Sequence, residues 1–121
     1  MTTDVTHFKF ANNTWEGTIP SPNPTTIWLK GGADLFKDAQ NVQSLESLVR
    51  GIESHIDSAI DYAKASEYAS DIADADGLVV DSIHVDTWDD IRIWFSLAND
   101  SGRMLGVQMV RSKPISVFCD S

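Results

Sequence analysis

The stretch NVQSLESLVRGIESHIDSAIDYAK, residues 41–64, decides the fold. Val42, Leu45, Val49, Ile52, Ile56, Ala59 and Ala63 recur at alternating spacings of three and four. At about 100° per helical residue they form one apolar stripe, with Leu48 and Ile60 at its edges. The spacing predicts one long amphipathic helix, on the order of 35 Å at about 1.5 Å per residue. Asn41 reads as its N-cap. Gly51 costs such a helix about 1 kcal/mol relative to Ala, and reads as a close contact with a neighbouring element.

Outward from the helix, both flanks read as strands. Upstream, residues 7–10 alternate, Asn12-Asn13 suit the positive φ of a tight turn, and residues 14–19 resume in β-forming types. Pro20, Pro22 and Pro24 make residues 20–24 a loop. Residues 25–30 form a third strand, stopped by Gly31-Gly32, and residues 33–40 fit either a short helical turn or a loop. Downstream, residues 65–77 read as a weak helical extension or an acidic loop ended by Gly77. Residues 78–85 are a strand and Thr87 to Asp90 a turn. Ile91, Ile93, Phe95 and Leu97 then alternate on one strand face, and Leu105, Val107 and Met109 answer them across a connection at residues 99–102. Residues 112–114 end that strand, and residues 115–119 form the last.

This order predicts one α+β domain over residues 1–121. Its sheet is mostly antiparallel, an N-terminal hairpin and strand followed by a C-terminal four-strand meander, packed on one long amphipathic helix. At 42% hydrophobic and 22% charged residues, the composition is that of a globular chain. No apolar run approaches the roughly 18 residues of a membrane helix. The first residues lack the basic and apolar regions of a signal peptide, so a cytoplasmic location is expected.

Charge is distributed unevenly. Of 18 acidic and 9 basic residues, eleven acids and only Lys64 fall between Glu53 and Asp90, so the net charge of −9 resides in that segment. Glu53, Asp57 and Asp61 form a row at i, i+4, i+8 along one helix flank, where each like-charged pair costs about 0.2–0.5 kcal/mol. Glu67, Asp71, Asp74 and Asp76 continue the bias, and Asp89 and Asp90 follow Trp88 in the turn. These ten residues, including Trp88 as an aromatic anchor, are the candidate surface for a basic protein. The alternatives are a merely solvated acidic face and a Trp88 folded over the sheet edge. The acidity disfavours direct contact with nucleic acid or anionic membranes.

Motifs for chemistry are scarce. Asp74-Ala75-Asp76-Gly77 matches part of a calcium loop, but the register puts Ile72 and Ile83 where ligands are needed. The single cysteine, Cys119, excludes an internal disulfide and reads as a small apolar residue of the last strand. No serine elbow, phosphate loop or metal-ligand spacing is present, and no cofactor is called for. His84 shares a strand face with Asp86, which allows a small enzyme using His84 with Asp81 or Asp86. Trp15 and Trp28 read as core or sheet-face packing, whereas Trp94 falls opposite the apolar face of its strand, between Arg92 and Ser96.

The Trp15-x-Gly17-x-x-Pro20 opening, the long helix and the Asp100-x-Gly102-x-x-Leu105-Gly106-Val107 ending resemble small bacterial immunity proteins of polymorphic and contact-dependent toxin systems. The resemblance implies a cytosolic, non-enzymatic inhibitor of a cognate toxin, often a basic nuclease. It carries no binding residue over by motif. A nucleic-acid mimic that blocks a DNA-binding protein is the alternative binding function.

Overall fold

A computed structural model describes residues 8–19 and 24–120. The expected start of the first strand at His7 and most of the proline loop lie outside these residues. Among the described residues seven strands form one sheet in chain order: β1 (Lys9–Ala11), β2 (Thr14–Ile19), β3 (Thr25–Lys30), β4 (Leu78–Thr87), β5 (Asp90–Leu97), β6 (Asp100–Val110) and β7 (Lys113–Asp120). Every neighbouring pair is antiparallel except β3 and β4. A parallel neighbour cannot be reached by a hairpin, so the chain crosses over between them through its helices. This crossover covers one face of the sheet, and no described element covers the other.

The helix stripe buries as its spacing implies, but the helix is not continuous. α1 (Ala39–Arg50) ends at Gly51 and α2 (Ile52–Lys64) begins after it. Gly51 has φ −96° and ψ 6°, near neither helix's dihedrals. The apolar spacing runs through the break in phase, which is why the sequence reads as one helix. Among the described residues a Cβ on Gly51 would meet only Ser47 O at 3.6 Å and His55 Nε2 at 3.7 Å, so no described neighbouring element presses against it. The N-cap is Asp38, whose Oδ1 accepts from Gln40 N at 2.9 Å, and not Asn41. Leu45 and Leu48 of α1, and Ile52, Ile56, Ala59 and Ala63 of α2, are buried.

The expected weak extension is a separate helix, α3 (Ala69–Asp74), preceded by a turn in which Ser66 Oγ donates to Ala63 O at 2.6 Å. It stops in a Schellman arrangement. Gly77 N donates to Ile72 O at 3.0 Å and Asp76 N to Ala73 O at 3.3 Å, with Asp76 left-handed at φ 63°. Residues 33–40 contain a 3-10 turn, Leu35–Lys37.

Ile27, Leu29, Ile83, Val85, Ile91, Ile93, Phe95, Leu97, Leu105, Val107 and Met109 are buried on the sheet's helix side. Each large apolar side chain so buried contributes about 1.5–3 kcal/mol. The register of β4 shifts twice, between Val80 and Ser82 and again between Val85 and Thr87. Val80 pairs with Phe95 and Ser82 with Trp94, so Asp81 is an extra residue in a bulge. The bulge returns Ile83 to the core and sends Ser82 to the uncovered face. The connections differ from expectation by one to three residues: the β4–β5 turn is Trp88-Asp89, β6 already begins at Asp100, and the β6–β7 turn is Arg111-Ser112.

Candidate functional site

The uncovered face is built by register. Lys9, Glu16, Trp28, His84, Arg92, Gln108 and Ser116 are successive partners across all seven strands. The adjacent row runs Thr18, Thr26, Ser82, Trp94, Gly106 and Phe118. Trp28 and His84 meet edge to face at 4.6 Å between ring centroids, His84 and Trp94 at 6.4 Å, and Trp94 and Phe118 at 5.2 Å. Four rings therefore cross the face, each roughly perpendicular to the next, an arrangement that aromatic quadrupoles favour. Gly106 lies beneath the last two, where any Cβ would collide with both.

Charged groups border the rings. Trp28 Nε1 donates to Glu16 Oε1 at 2.8 Å, fixing the indole plane. Lys30 Nζ lies 3.4 Å from Asp86 Oδ1. The Arg92 guanidinium stands 5.8 Å from the Phe118 centroid. Between these groups an open depression of about 380 Å3 is lined by Trp28, Asp81, Ser82, His84, Asp86, Arg92, Trp94, Met104 and Asp120. A second depression on the other side of Trp28 and His84 reaches Lys9, Thr14 and Glu16.

His84 is outwardly exposed, yet its ring stands between two indoles. The loss of water lowers its pKa from the usual 6.5, as does Arg92, while Asp81 and Asp86 oppose the shift. Ser82 is buried, with Oγ 3.5 Å from His84 Nε2. Thus Asp81, His84 and Asp86 do converge on one depression, with Ser82 beside them.

The ten candidate residues are not gathered on one surface. The run from Glu53 to Asp90 is continuous in sequence and divided in space. Glu53, Asp57 and Asp61 are exposed on α2, and Glu67 and Asp74 are exposed near α3. Asp81 and Asp86 lie across the sheet, in the depression. Asp89 is exposed in the β4–β5 turn. Several of the ten have internal partners. Asp71 Oδ2 lies 3.6 Å from Arg103 Nη2, Gln108 Nε2 donates to Asp90 Oδ1 at 3.2 Å, and Asp76 supplies the left-handed cap of α3. Trp88 is half-buried against the core and its Nε1 donates to Asn41 Oδ1 at 3.0 Å. Of the two readings of Trp88, an exposed anchor or an indole folded back, the packing matches the second.

Sequence reasoning missed the assembly of Trp28, His84, Trp94 and Phe118. Alternation alone puts Trp94 on the polar face, but the alignment of the four rings needs the strand order. Among the described residues, no cluster of three or more His, Cys, Asp or Glu side chains is arranged to hold a metal ion. No described helix is long and apolar enough to cross a membrane. No family model matches the chain, and neither a curated protein nor a solved structure matches it.

Proposed function

We propose that the chain is a non-enzymatic, protein-binding inhibitor of the immunity-protein kind, directed at a basic toxin domain, such as a nuclease. One observation carries this reading: the sheet face opposite the helices has no described element over it and bears four aromatic rings bordered by Glu16, Asp81, Asp86 and Asp120. Aromatic groups with a charged rim are the composition of interface hot spots. The acids on α2 and near α3 act at longer range, attracting a basic partner and raising its association rate. The partner-binding set is therefore the exposed acids among the ten candidates, together with the ring-bearing face.

The test is co-expression with a growth-arresting basic domain encoded beside this gene. The expected result is relief of arrest and a stable complex on size exclusion. Arrest that persists, with no complex, overturns the reading. Reversing Asp57 and Asp61 to Lys should slow association at low salt without loss of fold. Competition between the chain and DNA for the partner would favour the nucleic-acid-mimic form of inhibitor.

One observation favours a second reading, a small enzyme: Ser82, His84, Asp81 and Asp86 share one depression. An activity that survives His84→Ala would eliminate it.

A further inference from the structure

The depression has a chemistry more specific than acidity, and we infer that it receives an arginine side chain from the basic protein partner. This rests on the reading that the partner is basic. Trp28, His84 and Trp94 line it, and indole faces attract cations, most strongly when water is excluded. Asp81, Asp86 and Asp120 line the same depression, and the β4 bulge brings Asp81 there together with Ser82. Among the described lining residues three carboxylates outnumber one cation, Arg92, which is itself drawn over Phe118. Lys30 pairs with Asp86, but both side chains remain largely solvated, at 73% and 48% exposure, so the pair is open to exchange for a better partner.

Arginine fits better than lysine. Its planar guanidinium stacks on an indole while its fork of N–H donors meets carboxylates at the edge, and it sheds water more readily than an ammonium. The face already holds a guanidinium over a ring at Arg92 and Phe118. An anionic group would be repelled by the carboxylates, and a purely apolar side chain would leave them without partners.

The probe is an acetylated, amidated tetra-arginine peptide, compared with tetralysine and tetracitrulline at physiological salt. In 15N NMR spectra the indole N–H signals of Trp28 and Trp94 should move on titration. Those of Trp15 and Trp88, held internally by Gly32 O at 2.9 Å and Asn41 Oδ1 at 3.0 Å, should stay. Arginine should bind several-fold more tightly than lysine, and citrulline should not bind. Asp81→Asn with Asp86→Asn should weaken the arginine peptide about tenfold, whereas Asp57→Asn with Asp61→Asn should change it less than about twofold. Trp28→Leu supplies an independent loss if the double variant is poorly folded. Equal affinities for arginine and lysine, or a larger loss in the helix variant than in the sheet variant, overturn the inference. If those results appear while a basic toxin domain is still neutralised, the inhibitor reading stands and only the arginine site falls. If the neutralised partner is not basic, the reading itself falls.

Discussion

Gly106 lies directly beneath the ring of Phe118: a Cβ there would stand 2.5 Å from Phe118 Cε2, and 2.9 Å from Trp94 Cζ3. Real side-chain atoms do not approach so closely, so the glycine is required by the ring pair and not by a turn. Gly106→Ala should force both rings outward and cost about 1–3 kcal/mol, the range for overpacking. Urea denaturation gives the cost, and a change in near-ultraviolet circular dichroism reports the ring displacement. An unchanged spectrum and midpoint would show that the rings are loosely held.

Trp88 and Asn41 join the β4–β5 turn to the start of α1. Asn41 accepts from the Trp88 indole at 3.0 Å and donates to Leu35 O at 2.8 Å, so one side chain ties together three segments. Asn41→Ala leaves a half-buried donor and acceptor without these partners and should cost about 1–3 kcal/mol. Trp88→Phe should lose stability by about 1 kcal/mol and leave partner affinity unchanged. A large loss of affinity in Trp88→Phe at intact stability would restore Trp88 to the binding surface.

Much of the architecture was legible because burial leaves a period. The stripe from Val42 to Ala63 and the alternation from Ile91 to Leu97 are both consequences of one-sided burial. The break at Gly51 left no mark, because the apolar residues resume in phase beyond it. The β4 bulge was equally hidden: Val80 and Ile83 are three apart, a spacing that a regular strand would place on opposite faces. The ring row depended on pairings distant in sequence, above all the parallel pairing of Trp28 with His84. Charge could not place the acids, for the opposite reason. A run of acids is local in sequence, but the chain carries it from the helices, around Gly77, and onto the far side of the sheet.

Gly51 offers a test of the helix break. Its φ of −96° is negative, and its surroundings leave ordinary van der Waals space for a methyl group. Gly51→Ala should therefore stabilise the protein by about 0.4–1 kcal/mol, chiefly by restricting the unfolded chain. A raised urea midpoint at constant slope is the expected result. A lowered midpoint would mean that the junction needs freedom only glycine has.

The β6–β7 turn is another place where residue and conformation disagree. Arg111 and Ser112 hold φ of 51° and 67°, the left-handed region that both central residues of a type I′ turn occupy. The β1–β2 turn uses Asn12 and Asn13, at 55° and 60°, which tolerate it better. Left-handed backbone costs an ordinary residue about 1–2 kcal/mol. Arg111→Asn with Ser112→Gly should raise stability by about 1 kcal/mol or more, read as an increased melting temperature. The Arg111 N bond to Asp89 O, at 2.8 Å, is a backbone bond and survives the change. No gain in melting temperature would show that the native side chains already offset the strain.

Two described histidines, His55 and His84, contribute to the acid response. His55 is held below its usual pKa of 6.5 by burial, and His84 by burial and then Arg92, against the opposing pull of Asp81 and Asp86. Protons therefore bind the unfolded chain more readily than the folded one at these two sites. Their contribution to stability is fully present above about pH 6.5 and is lost as pH falls through 6.5 toward the lower folded values. Carboxylates ordinarily titrate near pH 4, so a series from pH 7.5 to 5.5 isolates the imidazoles. With His7→Gln as the background, His55→Gln and His84→Gln should each flatten the slope of stability against pH. His55→Gln should leave the binding of an arginine peptide unchanged, because that residue lines a different depression, together with Gln43, Ser44, Ser47 and Trp88. A slope unchanged by both substitutions would mean that neither ring is desolvated in solution.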